Sequence, residues 1–179
     1  KKFLINTGIA PVIENIDNLP LPEKKKFWGI PQSEHKDIDV SYICTIRGCP
    51  YKCTYCASPF HWDRRTTRLR SPESVIEEMK ILKKEHWQST GYDFSASANI
   101  SEKESLKIED NTIVYFVDDV FTVNKKRVKK LLRMMIDQKL GMKWKCEARA
   151  DHLDDEICEL MAQAGCERVK IGFESGSNR

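Results

Sequence analysis

The chain has 179 residues, of which 40% are hydrophobic and 32% charged, with a formal net charge of +3. That is enough for one domain with a buried core; the mild charge suits small anionic ligands and gives no case for nucleic acid. No run of about 18 apolar residues reads as a membrane span, and no signal peptide is visible.

Residues 1–38 show no sustained periodicity. They are punctuated by Pro11, Pro20, Pro22 and Pro31 and carry the charge run Lys24-Lys25-Lys26, which reads as a solvated connector lying over a domain surface. Residues 39–45 are rich in β-branched and aromatic types and predict a strand. That strand runs into Arg47-Gly48-Cys49-Pro50-Tyr51-Lys52-Cys53-Thr54-Tyr55-Cys56. Gly48 and Pro50 disfavour regular structure there, so a loop is expected, continuing to Arg70. Arg47, Arg64, Arg65, Arg68 and Arg70 read as solvated rather than as anion ligands.

Ser71-Pro72-Glu73 predicts a helix start, with Ser as N-cap and Pro at the first helical position. Val75, Ile76, Met79 and Leu82 form its apolar stripe, and it is expected to end near His86. Residues 89–111 are polar and long for a connection, hence functional or mobile. Residues 112–117 predict a second strand, followed by Asp118-Asp119. Asn124 caps a helix with Val128, Leu131, Leu132, Met135 and Ile136 on one side and lysines on the wet side, with Gly141 suiting its end. Residues 143–148 predict a third strand. Asp154 caps a third helix, closed by Gly165, and residues 168–173 predict a fourth strand.

The order βαβαβαβ implies a parallel sheet, whose ligands sit at the C-terminal ends of strands. The cysteine loop, Asp118-Asp119, Arg149 and Glu174-Ser175 all fall at such ends. Alternation places Trp144, Cys146 and Ala148 on one face of the third strand, with Lys145, Glu147 and Arg149 on the other. On the fourth strand it opposes Val169, Ile171 and Phe173 to Lys170, Gly172 and Glu174. The charged face implies a polar interior, in which Lys145 or Lys170 pairs with Glu147.

Chemistry concentrates in Cys49, Cys53 and Cys56. Three thiolates at intervals of four and three fit an iron–sulfur cluster with one iron lacking a protein ligand, free to bind a small molecule. Structural zinc is the competing reading, with Cys44 or His61 as a fourth ligand, as is a plain electron-transfer cluster. The seven cysteines are an odd number. Cys44, Cys146, Cys158 and Cys166 sit in apolar or helical contexts and read as buried thiols, which suggests a reducing, cytoplasmic setting.

The C-x3-C-x2-C spacing, with Tyr55 before the last cysteine, resembles the signature of the radical S-adenosylmethionine (SAM) enzymes. So do Arg68-Leu69-Arg70-Ser71-Pro72-Glu73, Phe116-Val117-Asp118-Asp119-Val120-Phe121, Ala148-Arg149-Ala150-Asp151 and Gly172-Phe173-Glu174-Ser175-Gly176-Ser177. The likeness is strongest to the cobalamin-linked branch, with methylthiotransferases as near relatives and the rival reading within the enzymes. The resemblance implies an α/β fold, a partial (βα) barrel with about four of six parallel strands present in residues 39–179. It makes residues 1–38, with Ile16-Asp17-Asn18-Leu19-Pro20-Leu21-Pro22, similar to the linker from an N-terminal cobalamin-binding domain outside this chain. It implies a [4Fe-4S] cluster on Cys49, Cys53 and Cys56, and SAM contacts from Asp118 or Asp119 (amino group), Arg149 (carboxylate), and Glu174 and Ser175 (ribose). The implied activity is reductive cleavage of SAM to methionine and a 5′-deoxyadenosyl radical, then hydrogen abstraction or methyl transfer on a small-molecule substrate. An electron donor such as flavodoxin or ferredoxin is the implied partner, with cobalamin a possible further cofactor.

Overall fold

The computed structural model describes residues 11–22, 40–58, 67–89 and 113–177. Strands β1 (Val40–Ile43), β4 (Ile113–Phe116), β5 (Lys143–Ala148) and β6 (Cys166–Ile171) form one sheet in the order β1-β4-β5-β6, parallel throughout. Helices α1 (Pro72–Ser89), α2 (Lys125–Asp137) and α3 (Asp155–Gln163) follow β3 (Arg68–Leu69), β4 and β5 in the chain. A second, two-stranded antiparallel sheet joins β2 (Ile46–Arg47) to β3 (Arg68–Leu69). Neither β2 nor β3 is expected from the sequence, which places both in the loop after residue 45: pieces of two residues are too short to show a period, and only their mutual pairing defines them.

One face of the sheet packs on the helices. Ile43, Val114, Phe116, Trp144 and Cys146 join Val75, Ile76 and Met79 of α1, Val128, Leu131 and Leu132 of α2 and Ile157 and Met161 of α3 in a single core. Phe116, Phe121 and Trp144 stand with ring centroids 4.9–5.5 Å apart, and the Trp144 indole N–H donates to the Ala164 carbonyl at 2.8 Å. The largest core ring therefore buries no unsatisfied donor. Truncating Phe116 to Ala is expected to cost about 3–5 kcal/mol.

The caps were legible. Asn124 Oδ1 accepts from Arg127 N at 3.0 Å, and Asp154 Oδ1 from Ile157 N at 2.9 Å. Ser71 Oγ accepts from Ser74 N at 3.2 Å. α1 continues to Ser89 instead of ending near His86. α2 ends at Asp137 with Gln138 as its cap, so Gly141 belongs to the following turn.

Four expectations change. β6 starts two residues earlier than the pattern suggested and ends at Ile171, so Phe173 lies past the strand and is 85% exposed rather than packed on a helix. Cys158 is exposed, and Cys44 and Cys166 are half-buried; only Cys146 of those four is fully buried. The Arg70 side chain is buried rather than solvated: it donates to the Cys44 carbonyl (3.2 Å) and the Ser74 carbonyl (3.0 Å) and pairs with buried Glu78. Residues 11–22 are docked rather than merely solvated. Ile16 is buried, both oxygens of Asp17 accept from Ser71 N at 3.0 Å at the start of α1, and Arg68 Nη1 donates to Ile13 O at 3.0 Å. Arg64, Arg65, His61, Lys24-Lys25-Lys26 and residues 90–111 lie outside the described residues.

Candidate functional site

The cysteine loop leaves the sheet through a two-residue link, Cys44-Thr45, that is held from three sides. Asp118, just past β4, accepts from Thr45 N (2.6 Å) and Ile46 N (2.9 Å) through Oδ1, and from the Thr45 hydroxyl (2.6 Å) through Oδ2. Arg70, just past β3, holds the Cys44 carbonyl. Arg127, from α2, donates to the Arg70 carbonyl (2.6 Å) and the Thr45 carbonyl (3.3 Å). A backbone link inside a core must find partners for its amides and carbonyls, and here buried side chains from three elements supply them. Burial pushes the Asp118 carboxyl up to about 6, against the three hydrogen bonds and the nearby Arg127 guanidinium.

Asp118 is buried, and both its oxygens are engaged by the chain's own backbone and by Thr45. Asp119, the next residue, is exposed; its Oδ2 accepts from Ser58 Oγ at 2.5 Å, and its charge is felt by the Cys49 thiol. Of the two carboxylates, Asp119 is the one at the cysteine loop.

The loop begins at Gly48, whose φ of +94° is the region glycine enters without a Cβ clash. Cys49, Cys53 and Cys56 follow within a few residues, close enough that each of the other two thiols raises the Cys49 thiol, after burial as the main cause. The Tyr51 amide hydrogen-bonds the Cys49 sulfur, and the Ser58 amide donates to Cys56 Sγ at 3.4 Å. Amide donors aimed at sulfur stabilise thiolates and tune the potential of a cluster held by them, so the donor set fits a [4Fe-4S] group. Among the described residues no three Cys, His, Asp or Glu side chains converge on one metal-sized point; a cubane does not require that, because each thiolate takes its own iron.

Two contacts tie the loop to the strand ends. The Arg149 guanidinium, just past β5, lies 4.0 Å from the centroid of the Tyr51 ring, a cation–π geometry. The Tyr51 hydroxyl hydrogen-bonds His152 Nε2, whose Nδ1 lies 3.2 Å from Thr122 Oγ1. Burial holds the His152 imidazole below its ordinary value. Tyr51, His152 and Thr122 were not singled out from the sequence. The one available signal was that Tyr51 lies between two cysteines; its partner, 101 residues away, is visible only in the fold.

The remaining expected residues gather nearby. Arg149 spends Nε and Nη2 on Asp151 (3.0 and 2.8 Å), leaving Nη1 without a partner among the described residues. Tyr55, 68% exposed, lies close to Glu174 and Cys53; partial desolvation and those two neighbours raise its phenol. Glu174 adopts φ +55°, a sparsely populated state for a residue with a Cβ and one that concentrates at functional sites. Its side chain folds back so closely that a Cβ on Gly172 would collide with the carboxylate. Ser175 is exposed and its Oγ accepts from Ser177 N at 3.0 Å. Asp119, Arg149 and Glu174, from just past the ends of β4, β5 and β6, thus each meet a residue of the loop that carries the three cysteines.

The face of the sheet turned away from the helices is polar. The Tyr115 hydroxyl donates to Glu147 Oε1 at 2.6 Å and Lys170 Nζ donates to the same oxygen at 2.8 Å. Burial pushes the Glu147 carboxyl up, but these two hydrogen bonds outweigh it and hold it below its ordinary value. The hydrogen bond to Glu147 pushes the Tyr115 phenol up to about 12. The expected Lys170–Glu147 pair is therefore present, whereas Lys145 Nζ lies 4.9 Å from the centroid of the Tyr115 ring. Among the described residues no helix is long and apolar enough to cross a membrane.

A family model described as the radical SAM superfamily matches residues 43–179. An uncharacterized methyltransferase of Pyrococcus horikoshii is 30% identical over 176 residues, which is 97% of this chain and 32% of that protein. The anaerobic magnesium-protoporphyrin IX monomethyl ester cyclase of Rubrivivax gelatinosus is 23% identical over 180 residues, 97% of this chain and 27% of that protein. Among solved structures, the radical S-adenosylmethionine methyltransferase TsrM from Kitasatospora setae, with tryptophan substrate and a SAM analog bound, aligns over 84% of this chain and 26% of its own, with a TM-score of 0.60 at 20% identity. The same protein with cobalamin and a [4Fe-4S] cluster aligns with a TM-score of 0.56 at 21% identity, over 75% of this chain and 22% of its own. The chain therefore spans about a third or less of the length of these relatives.

Proposed function

The chain belongs to the radical SAM superfamily, and from that we propose that it is the catalytic core of a cobalamin-dependent radical SAM methyltransferase. The fold is the family's partial barrel with four parallel strands. The observation that carries the reading is the convergence of Asp119, Arg149 and Glu174, from three strand ends, on the one loop bearing Cys49, Cys53 and Cys56. Cobalamin rests on the methyltransferase relatives and on the likeness of residues 16–22 to a linker from a cobalamin-binding domain. Residues 1–38 are then that linker and 39–179 the core.

Cys49, Cys53 and Cys56 would hold the cluster, and one iron without a protein ligand would receive the amino and carboxylate groups of SAM. When bound, the cluster and SAM supply one-electron reductive cleavage of the sulfonium. This chain's own residues orient and shield. Asp119 offers a carboxylate to the SAM ammonium, a charge-assisted contact. Arg149 offers its unpartnered Nη1 to the SAM carboxylate while stacking on Tyr51. Glu174 accepts from the ribose hydroxyls, with Ser175 beside it. Asp118, Arg70 and Arg127 keep the loop in register with the strand ends.

Anaerobic reconstitution with iron and sulfide tests the reading. The protein is expected to take up a [4Fe-4S] complement that Cys53→Ala cannot hold, since three thiolates are already one fewer than the usual four. About one zinc per chain without sulfide, or a full cluster in Cys53→Ala, would refute it.

A further inference from the structure

The inner face of the sheet carries a row of side chains that the cofactor site does not use. Tyr42, Tyr115, Lys145 and Arg168 are in register across all four parallel strands. All four point away from the helix-packed core, because their neighbours Ile43, Val114, Phe116, Trp144 and Cys146 are the buried ones and Val169 packs against the same core. The row lies below the cofactor residues. Lys145 precedes Arg149 by four positions, about 13 Å along the strand at about 3.3 Å per residue.

Charge on this face is unbalanced. β5 and β6 present Lys143, Lys145, Arg168 and Lys170 against Glu147 and Glu167, four cations to two carboxylates. Both carboxylates are taken: Glu147 by Lys170 and Tyr115, Glu167 by Lys143 at 3.1 Å. Lys145 and Arg168 are left facing each other on adjacent strands, with no acidic partner among the described residues. Like charges placed directly opposite on a sheet destabilise it, and the Tyr115 ring under the Lys145 ammonium offsets this for Lys145 but leaves Arg168 without a counter-charge among the described residues. An oxyanion between them would offset the repulsion, and an ammonium beside a forked guanidinium suits a carboxylate or phosphoryl group. The Tyr115 ring is level with the pair, under the Lys145 ammonium; above the pair, toward the cysteine loop, come the mutually paired Glu147 and Lys170 and, on β4, the exposed Val117, which supplies an apolar wall.

We propose that Lys145 and Arg168 form an anion subsite on the floor of the inner face, which takes a carboxylate or phosphoryl group of the substrate. The substrate's apolar body then lies along Val117, past the neutralised Glu147–Lys170 pair, toward Arg149 and the cysteine loop. This rests on reading the strand ends above as the SAM and cluster site, and it adds a substrate class: an anionic molecule long enough to span about 13 Å.

The test uses the full-length, cluster-loaded protein. Phenyl phosphate, benzoate and uncharged benzyl alcohol are titrated calorimetrically into the wild type and into K145Q/R168Q, and iron content, SAM affinity and melting temperature are recorded on the same samples. Expected is binding of at least one anion, tighter than the alcohol and weakened about ten- to a hundredfold in the double variant, with Arg168→Lys intermediate. The stronger of the two anions identifies the group as carboxylate or phosphoryl. No anion binding by the wild type, equal binding of the neutral alcohol, or undiminished binding by K145Q/R168Q overturns the subsite. Loss of iron or SAM binding in the wild type would instead overturn the cofactor reading, so the two failures are told apart.

Discussion

Asp118 separates a structural carboxylate from a cofactor ligand, and two substitutions decide which it is. Its Oδ1 accepts from both Thr45 N and Ile46 N, and its Oδ2 only from the Thr45 hydroxyl. Asn reproduces this pattern. Its Oδ1 accepts both amides, and its Nδ2 donates to a Thr45 hydroxyl that rotates to accept. Asp118→Asn also removes the charge whose burial raises the carboxyl from 3.8 to about 6, so it is expected to melt at or above the wild type. Asp118→Ala removes the same charge but strands two buried amides, at about 1–3 kcal/mol each. Because both variants are neutral, the charge cancels in their comparison. Asp118→Ala should lie about 2–6 kcal/mol below Asp118→Asn, roughly 5–20 °C in melting temperature for a chain of this size. Thermal melts and SAM titrations of the two reconstituted variants supply the assay. If Asp118→Asn melted like the wild type but bound SAM tenfold or more weakly, Asp118 would be a SAM ligand and the scaffold argument would fail.

Glu174→Ala should raise the SAM dissociation constant about ten- to a hundredfold with iron retained; a depressed melt with unchanged SAM affinity would show that the carboxylate only neutralises its neighbours. Cys146→Ala should lower the melting temperature but leave the cluster intact, because Cys146 is buried in the helix-facing core; loss of iron would show it to be a ligand. His152 has a folded pKa depressed below 6.5 by burial. Between those two values only the unfolded chain takes the proton, so stability should fall as pH drops through about 6.5 and level off below the folded value. His152→Asn should flatten that part of the melting-temperature profile between pH 5 and 7.5, and an unchanged slope would exclude His152 as its source.

The periodic parts of this protein were legible in its sequence. β5 is predicted to the residue, and α2 and α3 start at the caps Asn124 and Asp154, because a cap and an apolar stripe are local patterns with a local cause. The three cysteines were legible for a similar reason: their spacing along one loop is itself the geometry of the site. What the sequence could not decide were contacts between distant elements. From the sequence Arg70 reads as a solvated cation and Lys145 as a partner for Glu147, yet Arg70 is buried against Glu78 and the Cys44 carbonyl while Lys145 lies over the Tyr115 ring, opposite Arg168 across the sheet. Asp118 and Asp119 are identical neighbours along the chain. Tertiary structure assigns one to the buried link at Thr45 and the other to the cysteine loop, because consecutive residues at a strand end point to opposite sides and only the packed fold fixes what each side meets. The same holds for Tyr51 and His152, joined across 101 residues: spacing along the chain set the three thiols, and the packing of β5's end against the loop set what orients them.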